Sequence, residues 1–348
     1  MTRARTLLSL IAVLTLAPAA GASAAKVWFT AGEQFRAVAR TAPDPGAALR
    51  ALLRGPTAAE RRHHTQTQIP GGVTVDRLAV SAHNARIELS QRFLRGVPAQ
   101  AGARTDAQAA TLRARIGQVL YTATQFGSVR SVTIVAGTTE VATAVTRKGY
   151  ARPSQYTPPP PVLGGGAPEP GLASVQQRLA DLGYLPADAV DGLAGYRTTQ
   201  AVTAFQAWEG LGRDGVAGPI TKARLAKARR PAPFASGPSR RIEVDRARGV
   251  ALLIRNNRVV RAIHVSTGAG TNATPAGSYK VFRKELRSWS VPFQVWLPYA
   301  SYFNNGIAFH EYPDVPAYPA SHGCVRVPAP EAPIVYDFAA MGTTVVVR

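Results

Sequence analysis

The chain has a single cysteine, Cys324, and it stands among groups able to activate a thiol. The run from Ile307 to Pro328 reads I-A-F-H-E-Y-P-D-V-P-A-Y-P-A-S-H-G-C-V-R-V-P. A thiol becomes a strong nucleophile only where a base or a positive field favours its thiolate. His310 and His322 both precede Cys324 closely, and Arg326 adds a fixed positive charge just after it. Gly323 permits a turn in which neighbouring backbone N–H groups face a developing oxyanion. Zinc is the competing reading, but it needs three or four ligands, and one Cys with two His falls short without a placed carboxylate. A buried, inert cysteine is the bland alternative; the two histidines and the arginine beside it favour catalysis. No metal and no cofactor are expected.

These residues need a rigid frame, and Arg241 to Arg348 reads as strand-rich. Ile242 and Val244, Val250 to Ile254, and Val259 to Val265 across Asn256-Asn257 suggest successive hairpins. Tyr279 to Arg283, Phe293 to Leu297 and Ile307 to His310 follow. A helix is expected near Glu331 to Met341, ending at Gly342, with a last strand from Thr343 to Arg348. Short strands at this spacing imply a sandwich or barrel. Gly268-Ala269-Gly270 with Thr274-Pro275-Ala276-Gly277 is not a phosphate loop, because a strand follows it and no G-K-S/T does.

The order of a strand-borne His310, then Ser321-His322-Gly323-Cys324-Val325-Arg326, resembles the L,D-transpeptidase (YkuD-like) catalytic family. Val265-Ser266-Thr267-Gly268, T-P-A-G and the closing V-V-V-R extend the resemblance over nearly the whole segment. It implies a largely β fold in which Cys324 attacks the L,D-peptide bond of a tetrapeptide stem. A thioester forms, D-alanine leaves, and the side-chain amine of a second stem resolves the thioester. Carried onto matching positions, His310 is the general base. The backbone of His322, Gly323 and Cys324 would form the oxyanion hole, with His322 orienting the site as well. Arg326 would support the pocket or a substrate carboxylate, and Ser321 would fix the loop. Glu311 departs from the Gly or Ser usual after the first histidine. Its carbonyl could orient His310 whatever the side chain, or its carboxylate could alter the base.

Two breaks divide the remaining chain. Thr157 to Pro170, T-P-P-P-P-V-L-G-G-G-A-P-E-P, reads as a polyproline and glycine spacer within residues 151–170. Residues 229–240 form a second expected linker. Between them, Asp191 to Thr198 and Asp214 to Thr221 repeat D-G-x-x-G-x-x-T, each leading into a helix. The Asp-Gly pair makes a turn; a calcium loop would need alternating Asp ligands that are missing. With V-Q-Q-R-L-A-D-L-G-Y-L and A-V-T-A-F-Q, residues 171–228 resemble the three-helix peptidoglycan-binding module, although a structural spacer is also open. Residues 26–150 mix strands and helices: a helix from Asp44 or Pro45 to Gly55-Pro56, strands at Val73 to Val80 and Ala85 to Leu89, a helix from near Thr105, and a strand at Val129 to Val135. W-F-T, A-L-R-A-L-L-R-G-P-T and I-P-G-G-V-T-V resemble the GerMN-like domain, which implies an associating module and no reaction. His63-His64 has no carboxylate or cysteine cluster beside it and reads as a solvated loop. The fold class is therefore multidomain: an α+β N-terminal domain, a small all-α module and a mainly-β catalytic domain.

Charge and the N-terminus set the compartment. There are 41 Lys and Arg against 20 Asp and Glu, a net +21, which points to a polyanionic partner. Arg3 and Arg5 before Leu7 to Ala17, with Ala22-Ser23-Ala24 after it, read as a signal peptide over residues 1–24. An uncleaved anchor is the alternative. An exported basic chain meets peptidoglycan stems and glycan, and anionic wall polymers, before nucleic acid, so no nucleic-acid partner is expected. The N-terminal domain's own partner is not evident from its residues.

Overall fold

The computed structural model describes residues 24–151 and 169–348. The expected signal peptide, apart from its last residue, and most of the expected 151–170 spacer lie outside the described residues.

The N-terminal domain opens with a hairpin, β1 (Ala24–Ala31) and β2 (Gln34–Thr41), in which Ala31 pairs with Gln34. Gly32 takes the first of the two loop positions at φ +58, where two-residue hairpin loops favour glycine. Next come α1 (Pro45–Leu53), capped by the Asp44 side chain, and α2 (Ala58–Arg62), closed by a Thr57–Glu60 capping box. His63 and His64 turn the chain after α2. The strands β3 (Val75–Ser81) and β4 (Asn84–Leu89), helix α3 (Asp106–Ala123), then β5 (Ser131–Ala136), β6 (Thr139–Thr146) and α4 (Arg147–Ala151) complete the domain. The sheet order is β3-β4-β5-β6, with β4 and β5 parallel. Phe29, Leu49, Leu52, Ile87, Phe93, Leu120 and Ile134 lie at its buried centre.

In the helical module, α5 (Leu172–Leu182), α6 (Tyr196–Glu209) and α7 (Pro219–Lys227) show what the repeat does. Buried Gln176 donates to Asp191 Oδ1 at 2.9 Å and to Thr198 Oγ1 at 3.0 Å, while its own oxygen accepts from Gly192 N. Gln206 repeats this with Asp214, Thr221 and Gly215. Each turn thus closes on one glutamine from the preceding helix.

The C-terminal domain contains β7 (Arg240–Asp245), β8 (Val250–Arg255), β9 (Arg258–His264), β10 (Gly277–Lys280), β11 (Arg283–Ser290), β12 (Val295–Asn304), β13 (Ile307–Glu311), β14 (Val325–Val327), α8 (Ala332–Phe338) and β15 (Thr344–Val347). One sheet runs β10-β15-β7-β8-β9 and the other β11-β12-β13-β14. Ile242, Leu253, Ile263, Phe303, Phe309 and Val325 fill the space around which they pack.

The segment expected as a second linker is packed rather than free. Fully buried Arg241 binds Glu243 at 2.8 Å and holds the Ala235 and Pro238 carbonyls, and Glu243 accepts from Phe234 N. The helical module also shares a core with the C-terminal domain: Leu179, Phe205 and Leu225 meet Val250, Leu252 and Val259. Glu331 ties the two together, bound by Arg261 at 2.7 and 3.0 Å and by Arg197 at 3.1 Å.

Candidate active site

Strands β13 and β14 run parallel, with Phe309 beside Val325 and His310 beside Arg326. Side chains alternate across a strand, so Phe309 and Val325 enter the core while Ala308, His310, Cys324 and Arg326 share the opposite face. Neighbouring strands lie about 4.8 Å apart, which brings thiol and imidazole into one small patch. The Ala308 N–H donates to Cys324 Sγ at 3.3 Å, and the thiol donates to the Gly306 carbonyl at 3.6 Å.

His310 Nδ1 lies 2.7 Å from the Glu311 carbonyl. A carbonyl only accepts, so the ring carries its hydrogen on Nδ1 and keeps Nε2 as the acceptor. Of the two routes open to Glu311, its backbone is the one seen to orient His310. Buried Arg326 lies 4.0 Å over the Tyr312 ring and donates to the Asp314 carbonyl.

The turn before Cys324 is held from two sides. Ser321 Oγ donates to the Cys324 carbonyl and accepts from Gly323 N at 3.1 Å. This differs from the expectation for Gly323: its N–H faces Ser321, which leaves those of His322 and Cys324 as the turn's candidate oxyanion donors. Gly323 sits at φ +123, which L side chains rarely adopt. From the other side, Thr274 Oγ1 donates to the Gly323 carbonyl at 2.8 Å and accepts from Gly268 N at 2.9 Å. A Cβ on Gly268 would meet Asn272 O at 2.1 Å and Gly323 Cα at 2.8 Å. The V-S-T-G and T-P-A-G runs are therefore the frame of the cysteine turn. His322 stacks on Phe293 with centroids 4.2 Å apart, and its Nε2 lies 3.4 Å from Thr111 Oγ1 of α3.

Sequence reasoning missed the groups that come from the N-terminal domain. Glu33, at the β1–β2 tip, is buried; its N–H donates to the Gly306 carbonyl at 3.1 Å, and Ser290 Oγ donates to its carbonyl at 2.8 Å. Gln34 Nε2 donates to Tyr302 OH at 3.3 Å, and Tyr302 packs in one cluster with Cys324 and Ala308. No local motif marks Glu33 or Thr111 as parts of the site.

Charge follows burial here. Cys324 is fully buried, and burial first, then the nearby Glu33 charge, push its pKa well above that of a free thiol. Burial brings His310 down to about 4; the Glu311 carbonyl opposes that shift and Arg326 adds to it. His322 also falls to about 4, through burial and then Arg326. Burial raises Glu33 to about 7 against the pull of Arg326 and Ser290, and it raises Glu311 as well. Both shifts disfavour the thiolate–imidazolium pair. The residues beside Cys324 suggest an activated thiol, and burial beneath a second domain opposes that charge separation. Among the described residues no group of three or more His, Cys, Asp or Glu is placed to hold a metal.

The model of the L,D-transpeptidase catalytic domain matches residues 239–347. The chain belongs to the L,D-transpeptidase family. The putative peptidoglycan binding domain matches residues 168–225, and the family described as sporulation and spore germination matches residues 20–141. Among solved structures, an L,D-transpeptidase from Xylanimonas cellulosilytica DSM 15894 is 34% identical; the match spans 56% of this chain and 100% of that one, with a TM-score of 0.48. One from Stackebrandtia nassauensis is 26% identical over 53% of this chain and 93% of its own, with a TM-score of 0.35. One from Mycobacterium tuberculosis H37Rv is 21% identical over 32% and 58%, with a TM-score of 0.30. No curated protein matches the chain. This L,D-transpeptidase-family chain thus joins a transpeptidase domain to a peptidoglycan-binding one, and its function is peptidoglycan-related.

Proposed function

We propose that the chain forms peptidoglycan cross-links by cysteine acyl transfer. Cys324 Sγ attacks the carbonyl carbon of the L,D-bond in a tetrapeptide stem, and His310 Nε2 takes the thiol proton. The tetrahedral oxyanion lies near the His322 and Cys324 N–H groups. Its collapse leaves a thioester on Cys324 and releases D-alanine, with the proton returned from His310. The side-chain amine of a second stem then attacks the thioester, an amide forms, and the thiol is regenerated. The observation that carries this reading is the placement of Ala308, His310, Cys324 and Arg326 on one face of two parallel strands, with a carbonyl fixing the His310 tautomer. Export to the wall compartment, with the wall's stems, glycan and anionic polymers as partners, belongs to the same proposal. The same thioester opened by water would give an L,D-carboxypeptidase. Mass spectrometry with defined muropeptides, run on the full chain and on a folded Gly32→Val variant that crowds the β1–β2 tip away from Gly306, separates the outcomes: cross-linked dimer from either chain supports transpeptidation, trimmed tripeptide alone replaces it with hydrolysis, and unaltered substrate from both chains refutes both.

A further inference from the structure

The N-terminal domain closes over the nucleophile along three lines of contact. Its hairpin tip lies in the middle. A Cβ on Gly32 would stand 2.7 Å from Gly306 O, and a Cβ on Gly306 would stand 2.0 Å from Ala31 O and 2.8 Å from Gln34 Cβ. Backbone lies against backbone here, and only glycine at both positions lets the two domains approach so closely. Gly32 Cα is also 3.5 Å from where a Cβ of Gly323 would stand, beside the cysteine itself.

On one flank, α3 meets the turn between β11 and β12. Arg113 Nε donates to the Phe293 carbonyl at 3.0 Å, Phe293 packs on Ala110 and Ala114, and Tyr150 OH donates to the Pro292 carbonyl at 3.4 Å. On the other flank, Gln66 donates to the Thr271 carbonyl at 3.1 Å and Gln68 to Asn272 Oδ1 at 3.3 Å. The tip is thereby clamped over the cysteine, where Cys324 is 0% and His310 2% exposed. A stem peptide has no path to the sulfur while this contact holds.

We infer that the N-terminal domain is an inhibitor of its own chain's catalytic domain, with the Gly32–Glu33 tip seated as a plug over Cys324. This rests on the reading of Cys324 as the nucleophile, and it gives the domain a target that its sequence does not reveal. The plug acts in two ways: it excludes substrate, and it buries a carboxyl beside the thiol in a site that disfavours thiolate. Catalysis then requires the tip to leave Gly306 and Ser290, so access is governed by an opening equilibrium between domains rather than by diffusion of substrate alone.

Because Cys324 is the chain's single cysteine, a thiol reagent reports on it alone. The full chain would be reacted with dithiodipyridine at neutral pH, with folding followed by circular dichroism and thermal melting. Folded wild type is expected to react at least about tenfold more slowly than the same chain in guanidinium, since a buried group reacts through opening. Gly306→Ala, whose backbone lies outside the left-handed region, and Gly32→Val each push the tip away and should restore at least about tenfold of the rate. Gly102→Ala, in open space of the N-terminal domain, should match wild type. Wild type reacting as fast as the unfolded chain would overturn the inference. So would folded Gly306→Ala and Gly32→Val both reacting at the wild-type rate. Labelling needs access and no acyl-transfer chemistry, so a failed muropeptide assay leaves this result standing on its own.

Discussion

Glu33→Gln provides the sharpest perturbation, because it removes the charge from the plug while keeping its shape. The carboxyl is driven from 4.5 to about 7, chiefly by burial, with Arg326 and Ser290 pulling the other way. When the tip is released into water, Glu33 titrates near its ordinary value. The docked form therefore holds more protons between those limits. Docking is strongest below about pH 4.5 and weakens as pH rises toward 7. At 1.36 kcal/mol per unit, ionisation of Glu33 opposes docking by about 3 kcal/mol at neutral pH, roughly 150-fold in the opening equilibrium. Water entering the tip before full release lowers that figure, and about 10–100-fold is the expected span. The groups facing Glu33 are Cys324 and Arg326 from the catalytic turn and β14, and the Ser290 hydroxyl at the end of β11.

The assay is the ratio of wild-type to Glu33→Gln labelling rates with dithiodipyridine, taken from about pH 4.5 to about pH 8. Labelling passes through the open form, where Glu33 has left the thiol, so the thiol's own ionisation cancels in the ratio. The ratio should stand near one at the acid end and climb through the window that ends at the docked pKa, with the variant the slower of the two at neutral pH. A flat ratio would show that Glu33 is hydrated where it sits and that burial does not set its proton. A variant that labels faster than wild type would refute the sign of the argument outright.

Further outcomes follow from the same geometry. Cys324→Ala should abolish acyl-enzyme detectable by intact-mass measurement while leaving the melting transition in place; surviving cross-linking would remove Cys324 from its role. His310→Ala should slow carbapenem acylation by about 10²–10⁴-fold, as loss of a general base does, and His322→Ala by less, since its backbone donors remain. The reverse order would exchange their parts. Glu331→Ala leaves Arg261 buried without its partner, so a loss of about 3–5 kcal/mol in chemical denaturation is expected. Retention by whole sacculi should fall as salt rises if the net +21 concentrates the chain on anionic polymers; indifference to salt would transfer that role to residues 171–228.

What was legible in the sequence is what short-range chemistry determines. The cysteine turn could be read because Ser321, Gly323 and Cys324 are neighbours whose hydrogen bonds close within a few residues. The Asp-Gly repeat was legible as turns for the same reason, although its glutamine partners, Gln176 and Gln206, sit one helix back and carry no signature of their own. Strand β11 was not legible: R-K-E-L-R-S-W-S lacks an apolar alternation, because its two faces are only partly covered and pairing with β12 holds it in place. The hairpin tip lay furthest out of reach. Glu33 is a polar residue in a short loop, and nothing near it in the chain differs from a solvent-exposed turn. Its meaning comes from Gly306, Ser290 and Cys324, all more than two hundred residues away. That distance also explains why the burial of the thiol is not legible in its neighbours. The residues beside Cys324 are those that would activate it, and His310 and Arg326 share its strand face; whether they succeed depends on burial, which a domain at the opposite end of the chain imposes here. A motif can thus establish which groups share a face, while the ionisation of Cys324 depends on long-range burial that no motif records.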